Sequence, residues 1–326
     1  ISGKLDSLTF NFSNKYKIEG LEGKFIFDKN RLFFRSKSPQ IVFTSNDLYK
    51  EPMEILDFNT DVFGVKRDKG FLLSSKHFSS LINTQFIKGS FAYYAFDPFD
   101  TRDLSLLIHL NEVSHEKVVN LVPYMQRTKK VIDWANSHLT CGIVDKASAL
   151  YRGPLIKFFE NSTQTFQMVF NLEDACISLS SLEISNIKAS TEIQDSNSTS
   201  EIISNNFLGS KLTSDIKLGK FEENSKSLGI EISGKFSGPF STFSRLILGD
   251  QGENYSGQYK GLRVKGNQNT KFLYKSPFIP EQLDLLHRDS FFSLNTSINR
   301  GSLILSKYQN LTEINSKIIY NNKTGI

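Results

Sequence analysis

Cysteine occurs only twice in this chain, at Cys141 and Cys176, tryptophan once, methionine three times and proline eight times in 326 residues. Two cysteines with neither a Cys-x-x-Cys nor a Cys/His spacing indicate no zinc site and no disulfide framework. Cys141 is expected to end a helix and Cys176 to lie in a strand. Two buried free thiols are therefore expected rather than the disulfide that an oxidising space would permit. The scarcity of proline and methionine argues against a disordered chain and against a methionine-rich helical binder. No window approaches the ~20 consecutive apolar residues of a spanning helix, and the best runs, such as residues 92–96, are strand-sized. The chain opens on Ile1, Ser2, Gly3, Lys4 and Leu5, without an initiator Met, a cationic leader or an apolar leader core, and is read as a fragment of a larger chain.

Charge is equally unconcentrated. Thirty-nine basic residues oppose 34 acidic ones for a net +5, with no block of five like charges. Aromatic side chains alternate with polar ones within strands instead of interleaving with Arg and Lys, so no nucleic-acid partner is expected.

Catalytic patterns are weak. Residues 229–235 imitate a phosphate loop, but Phe236 stands where a Ser or Thr would bind magnesium, and the segment alternates as a strand does. Asp97, Asp100 and Asp103 recur beside Pro98 without the glycine and terminal Glu of a calcium hand, and are read as solvated turn carboxylates. His77, His109, His115, His138 and His287 have no metal spacing, and no nucleophile elbow is present. The Asn-x-Ser/Thr triplets at Asn11, Asn161, Asn197, Asn254, Asn295, Asn310 and Asn322 are what a chain rich in Asn and Ser generates by chance. No enzyme activity, cofactor or metal is expected.

What is present is alternation. Twenty-eight Phe and 11 Tyr join Ile and Leu in period-two patterns, as in Leu8/Phe10/Phe12, Phe25/Phe27, Ile177/Leu179, Ile216/Leu218, Ile230/Ile232, Phe292/Leu294, Leu303/Leu305 and Ile314/Ile318/Tyr320, each with one apolar face and one wet face. Turn clusters such as Asp28, Lys29, Asn30 and Asp68, Lys69, Gly70 recur at short intervals. The fold class expected is mainly β: a long, curved, antiparallel meandering sheet forming an elongated groove, one repetitive region over residues 1–326. A helical insertion is expected over 115–141, bent or split at Pro123, and a shorter helix around 280–287. Residues 190–206, dense in Ser, Thr, Asn, Asp and Glu, are expected to form a mobile loop.

Within 118–155, Val131, Trp134, Ala135, His138 and Leu139 fall at helical spacing, Thr128 suits an N-cap, and Cys141 with Gly142 suits the helix exit. Trp134 is expected to anchor this helix on the sheet. The order Leu121, Val122, Pro123, then Trp134, then Gly142, then Tyr151, Arg152, Gly153, Pro154 and Leu155 resembles the YhdP-type AsmA-like family. Gly70, Phe71, Leu72, Leu73 and Gly89, Ser90 upstream, with Phe207, Leu208, Gly209, Ser210 and the stretch 230–238 downstream, extend the resemblance to roughly residues 50–250.

A sheet of this length must cover one apolar face, and two short helices are too few to do so. Closure into a sandwich, barrel or solenoid filled by Phe and Ile is one solution. The resemblance implies another. In YhdP-like and TamB-like proteins an incompletely curled sheet holds acyl chains, so it implies a bridge that carries phospholipid between inner and outer membranes and supports the outer-membrane barrier of a Gram-negative envelope. The chain would then be periplasmic and tethered to the inner membrane by a segment outside this fragment, both membranes being met through regions outside it. Parity within each strand assigns Ile177, Leu179, Ile230, Ile232, Leu303, Leu305, Ile314 and Ile318 to the lipid-facing side. The alternative is a structural or adhesive β-solenoid with a closed, side-chain-filled core and no ligand.

Overall fold

Alternation becomes pairing along the described strands. The computed structural model describes residues 1–11, 16–45, 48–49, 51–67, 70–96, 102–122, 132–133, 135–154, 164–179, 182–195, 197–219, 229–240, 242, 263–277, 290–306 and 309–321. Its strands are β1 (Ser2–Asn11), β2 (Tyr16–Asp28), β3 (Arg31–Ser45), β4 (Met53–Arg67), β5 (Gly70–Ile82), β6 (Gln85–Phe96), β7 (Arg102–Ser114) and β8 (Leu139–Pro154). The series continues with β9 (Thr165–Leu179), β10 (Leu182–Gln194), β11 (Asn197–Phe207), β12 (Ser210–Gly219), β13 (Gly229–Pro239), β14 (Arg263–Pro277), β15 (Phe291–Ser306) and β16 (Gln309–Asn321). They form one 16-stranded antiparallel sheet in which every strand lies beside its sequence neighbours. The mainly β, meandering class read from the sequence is the class observed.

The chain divides into two units. One comprises residues 1–133, 144–170 and 193–195, the other 134–143, 171–192 and 196–326. In the first unit the buried side of β3 carries Phe34, Ser36 and Ser38, beside Phe25 of β2 and Val62 and Thr60 of β4. The opposite side of the same strands is wet. There Arg35 and Asp61 lie directly opposite each other and form a forked pair, Nε to Oδ1 at 2.7 Å and the second guanidinium nitrogen to Oδ2 at 3.0 Å. That hydrogen bond from Arg35 lowers the Asp61 carboxyl below its usual range. In the second unit Phe240, Leu294 and Ile298 form one buried cluster and Phe207, Leu212 and Phe236 another, with half-buried Phe272 packed against both.

The strands are long but not regular, and their irregularities follow a rule. Ser7, Asp57, Glu112, Asp174, Asn186, Arg300 and Glu313 take positive φ inside strands. Those at Ser7, Asp57, Arg300 and Glu313 coincide with shifts of register. Such bulges insert an unpaired residue and turn the following side chains over. Backbone groups left unpaired there must find other partners, because burying them unpaired costs as much as a lost hydrogen bond. Buried hydroxyls supply these. Ser36 and Ser38 bond the Glu22 carbonyl at 2.8 and 3.2 Å, and the Glu22 N–H donates to Ser38 Oγ at 2.7 Å, inside the irregular stretch of β2. Ser75 and Thr60 both donate to the His77 carbonyl, at 2.8 and 3.2 Å, at the register shift of β5.

Three expectations are corrected here. The insertion over 115–141 is not continuous helix up to Cys141: α1 spans His115–Leu121, helical residues recur within 132–138, and β8 has begun by Leu139. The stretch 190–206 is not a loop but most of a hairpin, β10 followed by β11, because Ile193 and Ile202 give it inward positions that its polar composition conceals. The cysteines are not free, since Cys141 and Cys176 form a disulfide. The helix expected at 280–287, Asp97, Asp100, Pro123, Thr128, Val131 and Trp134 lie outside the described residues, and with Trp134 the expected anchor.

Candidate functional site

Register decides which side chains share a face, because residues directly opposite in an antiparallel pair point the same way. In the first unit Leu32 pairs with Gly64, Gly64 with Leu73, Leu73 with Tyr93 and Tyr93 with Leu104. This is one row across five strands, and all its side chains are only half-buried. In the second unit Ile216 pairs with Ile232, Ile232 with Tyr274 and Tyr274 with Phe292, a second row that is again half-buried throughout.

Further along the same strands the face closes. Leu212, Phe236, Thr270, Thr296 and Ile318 form a parallel row in which Phe236 is 1 % and Thr296 0 % exposed. The hydroxyls in that covered part are satisfied internally: Thr270 meets Thr296 at 3.0 Å and donates to Gln268 Oε1 at 3.3 Å, while Gln268 Nε2 donates to the Pro239 carbonyl at 3.0 Å. The inner face of this unit is thus graded, from a polar, self-filled end to an apolar, half-open one.

Of the residues assigned to this face from the sequence, Ile230 and Ile232 are two apart on β13, and the first is buried beside Leu218 and Ser276. Ile318 lies in the row of Phe236, and Ile314, paired with Gly301, alternates with it on β16. The structure brings these four onto one face. Ile177 is half-buried on β9. Leu179, Leu303 and Leu305 lie in β9 and β15, with side chains outside the described residues. Sequence reading missed Phe236, Phe272, Leu294 and Ile298, and the buried hydroxyls between them. The signal was available in the alternation of Thr270, Phe272 and Tyr274 and of Leu294, Thr296 and Ile298, which mixes hydroxyl and apolar residues on one parity.

The disulfide belongs to the second unit. Cys141 of β8 and Cys176 of β9 have Cα atoms 4.9 Å apart, within the range the bond requires. Next to it Gly142 is not the helix exit expected of it. It sits in β8 at φ +136°, where an added Cβ would come 3.0 Å from the Cβ of Ala175. Glycine is needed because the two backbones approach closely at that point.

Burial pushes the Tyr49 hydroxyl up to about 12, and it donates to the Leu121 carbonyl at the end of α1 at 3.1 Å. His109 Nδ1 lies 2.8 Å from Ser148 Oγ. The phosphate-loop imitation at 229–235 is ordinary strand within β13. Among the described residues no group of three His, Cys, Asp or Glu could hold a metal, and no helix is long and apolar enough to cross a membrane. Compared with protein-family models, curated proteins and solved structures, the chain matches none.

Proposed function

We propose that this chain is a lipid-carrying segment of an envelope bridge, its half-buried inner rows holding phospholipid acyl chains between inner and outer membranes. The observation that carries this reading is the register of those rows. Leu32, Leu73, Tyr93 and Leu104 in one unit, and Ile216, Ile232, Tyr274 and Phe292 in the other, are aligned across neighbouring strands yet left partly uncovered. Each methylene buried on such a surface gains ~0.8 kcal/mol, and side chains of this kind need no polar partner. The disulfide supports a periplasmic setting, since such bonds persist in oxidising compartments. The chemistry asked of the site is burial, which uses no acid, base or nucleophile, so the reading is of a carrier and not an enzyme. Purified protein extracted with organic solvent is expected to yield phospholipid by mass spectrometry, and Ile232→Asp to reduce the yield.

A second reading has its own observation. Phe236, Leu294 and Thr296 are covered almost completely by the chain itself, as they would be in a structural β-solenoid with a filled core. A folded protein that yields no lipid would favour that reading.

A further inference from the structure

The opposite face of β12–β16 has a different chemistry. Lys211, Ser237, Asn269, Ser297 and Lys317 follow one another in register across five strands. In the adjoining row Lys235 lies directly opposite Lys271, which in turn lies opposite Asn295. These side chains line a concavity of about 570 Å³. Like charges directly opposite in neighbouring strands destabilise a sheet. All four lysines are exposed, and no carboxylate pairs with any of them among the described residues. Some other lysines are paired: exposed Lys275 meets Glu231 at 2.7 Å and half-buried Lys17 meets Glu19 at 2.7 Å. Among the described residues, carboxylates near the cluster include Glu231, engaged by Lys275, and Asp215, one row along from Thr213 on β12 and directly opposite Glu201 on β11. Four lysines with no carboxylate partner among the described residues, in a chain whose whole net charge is +5, make a concentrated positive field in one hollow.

We propose that this hollow binds a ligand carrying more than one phosphate group. The spacing sets the ligand class. Lys235 and Lys271 are about 5 Å apart at Cβ and bracket a single phosphate. Lys211 is the diagonal neighbour of Lys235 across β12 and β13, roughly 7–8 Å away, and Lys317 lies two strands from Lys271, roughly 10 Å, so the four ammonium groups spread over more than one phosphate and suit further ones. Lysine acts on phosphate as a compact point charge, and the intervening Asn and Ser groups suit phosphate oxygens or hydroxyls. The ligand is a polyphosphate or a phospholipid headgroup with more than one phosphate. The site occupies the face opposite the apolar rows and does not rest on the lipid-carrying reading.

The test is calorimetric titration at low salt with sodium tripolyphosphate, alongside sedimentation with phosphatidylcholine vesicles with and without cardiolipin. Wild-type protein is expected to bind tripolyphosphate or the cardiolipin vesicles, and binding is expected to weaken as salt is added. Lys235→Gln with Lys271→Gln is expected to weaken it about tenfold or more, the loss of a charged hydrogen bond. Lys24→Gln with Lys66→Gln, an equal change of net charge among exposed residues elsewhere, is expected to leave it unchanged. Because the central pair repels itself, Lys235→Gln should not lower the melting temperature, which separates lost binding from lost folding. Binding of tripolyphosphate assigns the soluble source, and binding of cardiolipin vesicles alone assigns the headgroup. No binding of either by wild-type protein, or equal loss in the two double variants, would overturn the site.

Discussion

Cys141 and Cys176 join β8 to β9 through a bond that closes a loop with a sequence separation of 35 residues. In the chain-entropy account, tying such a loop in the unfolded state is worth about 3–4 kcal/mol. Replacing both cysteines by serine is therefore expected to lower unfolding free energy by about that amount, read from denaturant melts. Reductant should shift the wild-type melt toward the variant's and leave the variant unmoved. Coincident melts with and without reductant would contradict the bond.

That bond also marks where sequence reading stopped. Cys141 and Gly142 stand just after residues at helical spacing and look like a helix exit, a local signal that points Cys141 away from a strand beside the one that holds Cys176. The competing influence was tertiary: β8 begins at Leu139 because its partner strand is there to receive it, and pairing overrides a local cap signal. The meander itself was legible, since period-two patterns such as Ile230/Ile232 follow from the pleat. The hairpin formed by β10 and β11 was not, because its inward positions alternate with Ser, Thr and Asn that look like loop residues. Bulges set the deeper limit. Arg300, at φ +50°, lets even-numbered Leu294, Thr296 and Ile298 share a face with odd-numbered Gly301, a change of parity that no sequence pattern announces.

Ser204 tests the role given to buried hydroxyls. It is fully buried, donates to the Ser185 carbonyl at 2.7 Å and accepts from the Asn206 N–H at 3.1 Å at a register shift of β11. Ser204→Ala leaves both groups unpartnered and is expected to cost about 1–3 kcal/mol. Exposed Thr199→Ala on the same strand should stay within about 0.5 kcal/mol. Equal melts for the two variants would remove the hydroxyls from the account of how the bulges are held.

Gly89 tests how tightly the first unit is filled. A Cβ there would stand 2.2 Å from the Leu107 carbonyl oxygen and 2.5 Å from the Phe78 ring. Gly89→Ala is expected to destabilise by about 1–3 kcal/mol or more. Adding Phe78→Ala should not restore stability, because the closer obstacle is backbone. Full rescue by the second change would show that the ring alone excludes a side chain.

Tyr49 supplies a pH signature. Its hydroxyl ionises in the unfolded chain near 10.0 and in the folded protein near about 12, because burial disfavours the charged form. The folded state holds this proton more tightly, so the contribution is fully present below pH 10.0 and is lost as pH rises toward about 12. Other tyrosines titrate in the same range, so the quantity to read is the difference between wild type and Tyr49→Phe. The variant should be less stable at neutral pH by about 1 kcal/mol, the net worth of the bond to Leu121, and the gap should narrow or reverse in alkali. A gap that stays constant across the alkaline range would contradict the burial of this hydroxyl.

The central claim concerns one face of the sheet, and adjacent residues on β13 sample both. Ile232 lies in the half-buried apolar row with Ile216, Tyr274 and Phe292, whereas Glu231 points the other way, bonded to Lys275. A photoactivatable amino acid introduced at each position, in protein folded in a bacterial periplasm and irradiated there, should attach phospholipid at 232 and little or none at 231. Labelling that is equal at the two positions, or absent from both in folded protein, would contradict the lipid-carrying account.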